Sequence, residues 1–293
     1  MFTDVHLWFH SVMTSTRQFI ETWRDRFKRE EIDDARLNAE LLLAHVLGVL
    51  RGELAMRLDD DLPRDTESQA EALCSRRLRR EPVDYIIGHR EFFGREFHVQ
   101  SGVLIPRPET EIIIELVRTQ YPDVSGWAAD IGCGSGALAV TLALEFPALK
   151  VLATDISPTP LKVTRRNAEK HGVASRVFCA RMDGLSATRP VPTFDLIVSN
   201  PPYVSPADYP ELQPEVRDHE PEEALLGGRE GLAVAEHVLS HVAQRLKPGA
   251  GVFLEHGMEQ GPALVATAAN LSLQNPHTVS DYAGLDRILV AHA

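Results

Sequence analysis

The chain has no uninterrupted apolar run approaching the ~20 residues that a membrane helix requires, which predicts a protein that does not span a membrane. Cysteine is scarce. Cys74, Cys133 and Cys179 stand far apart with no C-x-x-C spacing, a pattern of reduced cytosolic thiols rather than of a disulfide scaffold or a metal site. An excess of basic charge is also missing: 30 Lys and Arg against 42 Asp and Glu give a formal charge of -12, so there is no overall electrostatic footprint for a polyanion. The opening "MFTDVHLWFHSVMT" lacks a basic n-region and carries Asp4, His6 and His10 inside its apolar stretch, and Glu21 and Asp25 follow. Neither a secretory signal nor an organelle transit peptide is expected, and a cytoplasmic location is. Internal repeats and low-complexity tracts are absent.

The composition that remains, 44% hydrophobic and 25% charged over 293 residues, is that of a globular protein with one large or two unequal domains. The first part reads as helical. "DDARLNAELLLAHVLGV" (33 to 49) repeats apolar residues at helical spacing, with Leu37, Leu41 and Ala44 on one face and Gly48 as a stop. "TESQAEALCSRRLRR" (66 to 80) opens on a capping-box pattern from Thr66 to Gln69. Arg76, Arg77, Arg79 and Arg80 crowd its end, which predicts a solvated face beside the helix C-terminus.

The pattern then changes. "EFFGREFHV" (91 to 99) predicts two short strands around Gly94, and "GVLIPRPETEIIIELV" (102 to 117) runs from an extended, proline-flanked segment into a helix. From residue 127, strand-like runs alternate with helix-like stretches, which predicts an α/β fold with a parallel sheet covered on both faces. The tail "TVSDYAGLDRILVAHA" predicts an antiparallel edge turning at Gly284. The expected division is a helical domain over 1–81, a β-hairpin linker over 82–105 and an α/β domain over 106–293.

"DIGCGSGALAV" (130 to 140) places Gly132, Cys133, Gly134, Ser135 and Gly136 between a strand and a helix, where backbone without Cβ can approach a bulky ligand. A tight turn and a pyrophosphate cradle are the competing readings; the spacing fits the dinucleotide fingerprint only in part. Asp155 ends the next strand, placed to accept from ribose hydroxyls, and Asp183 follows the one after, placed to meet an adenine amine. Cys133 reads as a residue small enough for the loop, and His256 in "LEHG" as structural.

"TFDLIVSNPPYV" (193 to 204) ends an apolar strand in Asn200, Pro201, Pro202 and Tyr203. Neither proline can extend a sheet ladder, so the chain turns out at the sheet edge with free carbonyls. Beside a nucleoside site this resembles the motif of class I methyltransferases that move a methyl from S-adenosylmethionine to a planar NH2 group. Asn200 Oδ1 and the Pro201 carbonyl are the natural acceptors for that group's two N–H donors, with Tyr203 stacked on its plane. The acceptor is either a base in nucleic acid, in an N6-adenine or N4-cytosine methyltransferase, or a glutamine amide in a protein. A nucleoside-binding module without catalysis is the third reading.

"GHREFFGREFHV", "LIPRPETE", "DIGCGSGALA", "VSNPPYV", "EPEEALLGGREGL", "FLEHGMEQG" and "DYAGLDRILVA" together resemble the HemK-like family, over roughly residues 33 to 293. The resemblance implies a Rossmann-like class I methyltransferase domain behind a small N-terminal helical domain. It implies methylation at N5 of the glutamine in the Gly-Gly-Gln loop of class 1 peptide chain release factors. Carried over, residues 132 to 136 line the S-adenosylmethionine site, Asp155 holds its ribose, Asp183 and Gly184 flank its adenine, and Asn200, Pro201, Pro202 and Tyr203 grip the glutamine. Family members can have Trp where this chain has Gly184, so an aromatic wall is missing. Residues 203 to 226 carry seven acids against Arg217 alone, a predicted mobile rim that opposes nucleic acid and suits a basic protein. The expected partner is a release factor, bound by a monomer with no direct nucleic-acid substrate.

Overall fold

The structure is a computed structural model and describes residues 14–293, so most of the opening segment read for targeting signals lies outside the described residues. The chain separates into two compact units, residues 1–87 and 88–293. Among the described residues no helix is long and apolar enough to cross a membrane.

The first unit is helical: α1 (Thr16–Arg29), α2 (Ala35–Leu47), α3 (Arg64–Leu78) and α4 (Val83–Ile87), with a 3-10 turn at Arg51–Met56. Ser15 caps α1 in a capping box with Gln18, and Phe19, Ile20, Trp23 and Phe27 recur at helical spacing to fill the core. Gly48 ends α2 in a left-handed conformation, as expected. Of the expected face only Ala44 is buried; α2 buries Ala35, Asn38, Ala39, Leu42, Leu43 and Ala44, while Leu41 is half-buried and Leu37 is exposed. An Ala- and Leu-rich helix is apolar over most of its circumference, so periodicity alone cannot select the face.

Two further expectations change. α3 starts at Arg64 behind Pro63, which places Thr66 inside the helix rather than at a cap. The arginine cluster is not one solvated face: Arg77 is buried with Nε donating to Asn38 Oδ1 at 2.6 Å, and Arg76 pairs with Glu81. Both α2 and α3 bury a polar group because each supplies the other's partner.

The second unit begins with a hairpin around Gly94, β1 (His89–Phe92) and β2 (Arg95–His98). After α5 (Glu111–Gln120) comes a seven-stranded sheet: β3 (Gly126–Ile131), β4 (Leu149–Asp155), β5 (Val177–Arg181), β6 (Phe194–Ser199), β7 (Leu246–Glu255), β8 (Gln274–Ser280) and β9 (Asp286–His292). Its order is β5-β4-β3-β6-β7-β9-β8, parallel from β5 to β7, with β9 antiparallel to both neighbours. The crossovers are α6 (Ala137–Glu145), α7 (Pro158–Lys170), the short α8 (Pro214–Arg217), α9 (Ala233–Val242) and α10 (Gly261–Asn270).

Alternate strand residues serve opposite faces. Leu196 and Val198 of β6 pack into the core under α5, α6 and α7, while Ile197 between them packs under α9 and α10, as does Phe194, which lies beyond a register irregularity at 194–196. Burial on both faces is why these strands read as continuous apolar runs. β3 starts the sheet at its middle, β4 and β5 build outward on one side, and the chain returns to lay β6 on the other. That reversal opens a crevice at the carboxyl ends of β3 and β6.

Candidate active site

Parallel register aligns Ile131 with Ser199, and Ser199 Oγ donates to the Ile131 carbonyl at 2.7 Å. The residues that follow, Gly132 and Asn200, therefore leave the sheet side by side although 68 positions separate them. A cavity of about 470 Å³ lies at these strand ends, lined by Gly132, Cys133, Gly134, Ser135, Asp155, Asp183, Gly184, Asn200, Pro201 and Pro202. Gly136 and Tyr203 do not line it.

Gly132 and Gly134 have φ of +74° and +55°, and a Cβ on either would meet no atom within 4 Å. The backbone of the turn is thus open to close approach. Gly136 has a different reason to be glycine: a Cβ there would fall 2.8 Å from Thr164 Cγ2, so it lets α6 pack on α7. The Thr164 hydroxyl donates to Cys133 Sγ, and burial raises that thiol well above its ordinary range. Cys133 is a protonated spacer in the wall.

Asp155 accepts from Ser157 N at 2.9 Å on one oxygen and Gly134 N at 3.2 Å on the other, so it anchors the glycine turn it faces. Burial raises its pKa against these two donors. Each oxygen keeps a lone pair for a ligand hydroxyl. Asp130 was not singled out in the sequence, although an acid inside the apolar run "WAADIG" was the available signal. Its Oδ2 accepts from Ala139 N at 3.0 Å, while Oδ1 is buried with no partner among the described residues, and the side chain lines the cavity. Burial pushes its carboxyl up to about 7. A cationic donor in the cavity would satisfy that oxygen.

Asp183 Oδ1 lies 3.0 Å from His237 Nε2, and His237, another cavity residue, packs edge-on against His241 of the same helix with ring centroids 4.5 Å apart. A Cβ on Gly184 would come within 2.3 Å of His241 Nδ1. A larger side chain at 184 would have to displace the ring of His241, which takes the space it would need.

A second cavity of about 280 Å³ adjoins the first and shares Leu104, Asn200, Pro201 and Ala224 with it; Tyr203, Arg107, Val204, Leu212 and Val216 lie on its wall. Asn200 Nδ2 donates to Thr110 Oγ1 at 3.0 Å, and Thr110 Oγ1 donates to Glu255 Oε2 at 2.6 Å. Tyr203 lies close enough to the same carboxyl to feel its charge. Glu255 is 1% exposed, and burial pushes it up to about 7; burial, then the nearby Glu255 charge, raises Tyr203. His256 lines neither cavity; its Nδ1 donates to the Gly257 carbonyl.

Glycines close in around the Asn-Pro-Pro-Tyr turn. A Cβ on Gly227 would lie 2.6 Å from the Pro202 carbonyl oxygen, on Gly231 2.1 Å from that of Tyr203, and on Gly257 3.2 Å from the Tyr203 ring. Gln260 Nε2 donates to the Tyr203 carbonyl at 2.9 Å. Gly227 and Gly231 of "LLGGREGL" and Gly257 of "EHGMEQG" are thus the surface against which the turn is pressed.

Residues 203 to 226, expected as an irregular loop, carry α8 and 3-10 turns at Tyr209–Glu211 and Glu222–Ala224. Backbone bonds from Val204 N to Leu225 O and from Gly227 N to Val204 O close its base. Glu220, counted among the rim acids, is buried and binds Arg107 at 2.5 Å and Ile105 N at 3.1 Å. It ties the segment to "LIPRPETE". Local sequence could not show this, because the partners are more than a hundred residues away.

Comparison with known proteins agrees with this geometry. The PrmC N-terminal domain model matches residues 18–88, and the methyltransferase small domain model matches residues 108–213. Among solved structures, a methyltransferase from Pyrococcus furiosus superposes with a TM-score of 0.53 at 20% identity, over 74% of this chain and 98% of that one. The Thermus thermophilus 16S rRNA N2 G1207 methyltransferase, solved with AdoMet and guanosine, has a TM-score of 0.51 at 21% identity over 70% of this chain and 49% of its own. These two share the fold. The release factor glutamine methyltransferase of Geobacter sulfurreducens is 36% identical over 93% of this chain and 95% of its own length. That of Koribacter versatilis is 39% identical over 87% and 90%. With identity at that level along nearly the whole length of both partners, the chain belongs to the release factor glutamine methyltransferase family.

Proposed function

We propose that this enzyme transfers a methyl group from S-adenosylmethionine to N5 of the glutamine in the Gly-Gly-Gln loop of class 1 peptide chain release factors. The observation that carries the reading is the meeting of the two cavities at Asn200 and Pro201. One holds the donor, the other the acceptor, and the residues between them hold the reacting nitrogen.

The larger cavity suits S-adenosylmethionine. Its Gly132 to Ser135 turn admits a bulky ligand, Asp155 accepts from the ribose hydroxyls, Asp183 and Gly184 border the adenine, and the unpartnered Asp130 Oδ1 takes the amino group. Bound there, S-adenosylmethionine would supply an electrophilic methyl and leave as a neutral thioether when the carbon–sulfur bond breaks.

The protein's task is to hold an amide nitrogen, a poor nucleophile whose lone pair is delocalised. Asn200 Oδ1 and the Pro201 carbonyl accept its two N–H bonds, Pro202 shapes the turn, and Tyr203 stacks on the amide plane. As the nitrogen gains its fourth bond and positive charge grows on its protons, both acceptors bind them more tightly than in the ground state. One of those protons then passes to solvent, leaving the neutral N-methyl amide. Alignment of nitrogen with the methyl supplies the rest.

The helical domain holds the body of the release factor, and binding there supports the reaction at a distance from the amide. The enzyme works as a cytoplasmic monomer, and the exposed acids beside the acceptor cavity disfavour nucleic acid. The test incubates enzyme and methyl-labelled S-adenosylmethionine separately with a release factor, its Gln→Ala variant and duplex DNA. Label is expected at the glutamine side chain alone. Label in DNA, or undiminished label in the Gln→Ala factor, overturns the assignment.

A further inference from the structure

The side-chain amide of asparagine is nearly symmetric in shape, so nothing in the Asn-Pro-Pro-Tyr turn decides whether Asn200 offers oxygen or NH2 to the acceptor cavity. The wrong orientation would set donors against the donors of a bound amide. The decision is made behind Asn200. Thr110, at the end of the Pro108–Thr110 turn that opens α5, and Glu255, at the end of β7, are 4% and 1% exposed. Thr110 has a single hydroxyl proton, and it is committed to Glu255 Oε2 at 2.6 Å. Thr110 Oγ1 then presents only lone pairs to Asn200, which must turn its NH2 toward them, at 3.0 Å. Asn200 Oδ1 is left facing away from Thr110, accepting nothing from the described residues.

We propose that Thr110 and Glu255 are positioning residues for methyl transfer, a two-bond relay that holds the Asn200 amide with its oxygen toward the substrate. This rests on reading Asn200 as the group that orients the acceptor amide. Neither residue lies among the Asn-Pro-Pro-Tyr motif, and a relay of this kind acts on kcat; Thr110 also lines the larger cavity, which is why an isosteric valine is used to keep that wall in shape.

The test compares Thr110→Val, which keeps shape and loses the hydroxyl, with Thr110→Ser, which keeps the hydroxyl, and with Glu255→Gln. Turnover at saturating cofactor and release factor, KM for the factor, cofactor Kd by calorimetry and Tm are measured for each. Thr110→Val is expected to lose about 30- to 100-fold in kcat, as for removal of one fixed polar group at a reacting centre. Cofactor Kd should stay within about twofold, and Thr110→Ser should return to within about threefold of wild type, since only the hydroxyl proton and lone pair are required. Glu255→Gln, which can present a donor to Thr110 and reverse the relay, should lose kcat in the same way and serves if Thr110→Val does not fold. Wild-type kcat in a folded Thr110→Val, or a Thr110→Ser that regains Tm but not kcat, overturns the relay. An Asn200→Ala arm separates the causes: if that variant turns over normally, the reading of Asn200 fails first.

Discussion

Ser199 Oγ donates to the Ile131 carbonyl across the β3–β6 pair at 2.7 Å, and this single bond marks the register on which the site depends. A slip of one residue would invert every side chain of β6, sending Leu196 and Val198 to the opposite core and carrying Asn200 away from the glycine turn.

Asn200→Ala should lower methyl transfer by at least about 100-fold at saturating cofactor, because one of two acceptors that strengthen in the transition state is gone. The residue is half-buried and packs in no core cluster, so Tm should move little. Single-turnover kinetics and thermal melting on the same preparation check this; turnover near wild type removes Asn200 from the reaction.

Asp155→Ala should weaken S-adenosylmethionine by roughly 1.5 to 3 kcal/mol, the value of hydrogen bonds to a charged group. The Gly134 and Ser157 N–H groups also lose their acceptor, so the glycine turn should loosen with it. Calorimetric titration that finds unchanged affinity would take Asp155 out of the donor site.

Buried Asp130 and Glu255, both pushed up to about 7, make stability depend on pH with a definite sign. Each is protonated in the fold where the unfolded chain has already ionised. Stability is therefore fullest below about pH 4 as far as these groups are concerned, and is lost as pH rises toward about 7, by about 4 kcal/mol for Asp130 alone. Asp130→Asn should flatten this part of the Tm-against-pH curve. A curve parallel to wild type would show that Asp130 is not held neutral.

The acids of residues 203 to 226 should divide into two kinds. Glu211→Lys with Glu222→Lys, both exposed, should slow association with a basic protein substrate, most at low salt, and leave Tm unchanged. Glu220→Ala should instead lower stability by about 1 to 3 kcal/mol, because Ile105 N loses its partner and Arg107 its counter-ion. If Glu220→Ala melts like wild type, the anchor is not one.

Strand period, glycine turn and Asn-Pro-Pro-Tyr are local facts of covalent order, so the sequence alone determined the α/β class, the parallel sheet with an antiparallel edge, and several of the residues that line the larger cavity. Periods of 2 and 3.6 report which elements form, but an element apolar all round does not say which face it buries, as α2 shows with Asn38 inward and Leu37 outward. Only the tertiary structure decided Asp130's unpartnered oxygen, the His241 ring against Gly184, and the run from Asn200 through Thr110 to Glu255. Each joins residues from separate strands and helices, and its energy comes from burial. A charged side chain in a sequence is an ordinary solvated group until the fold removes its water, and only then must it find a specific partner.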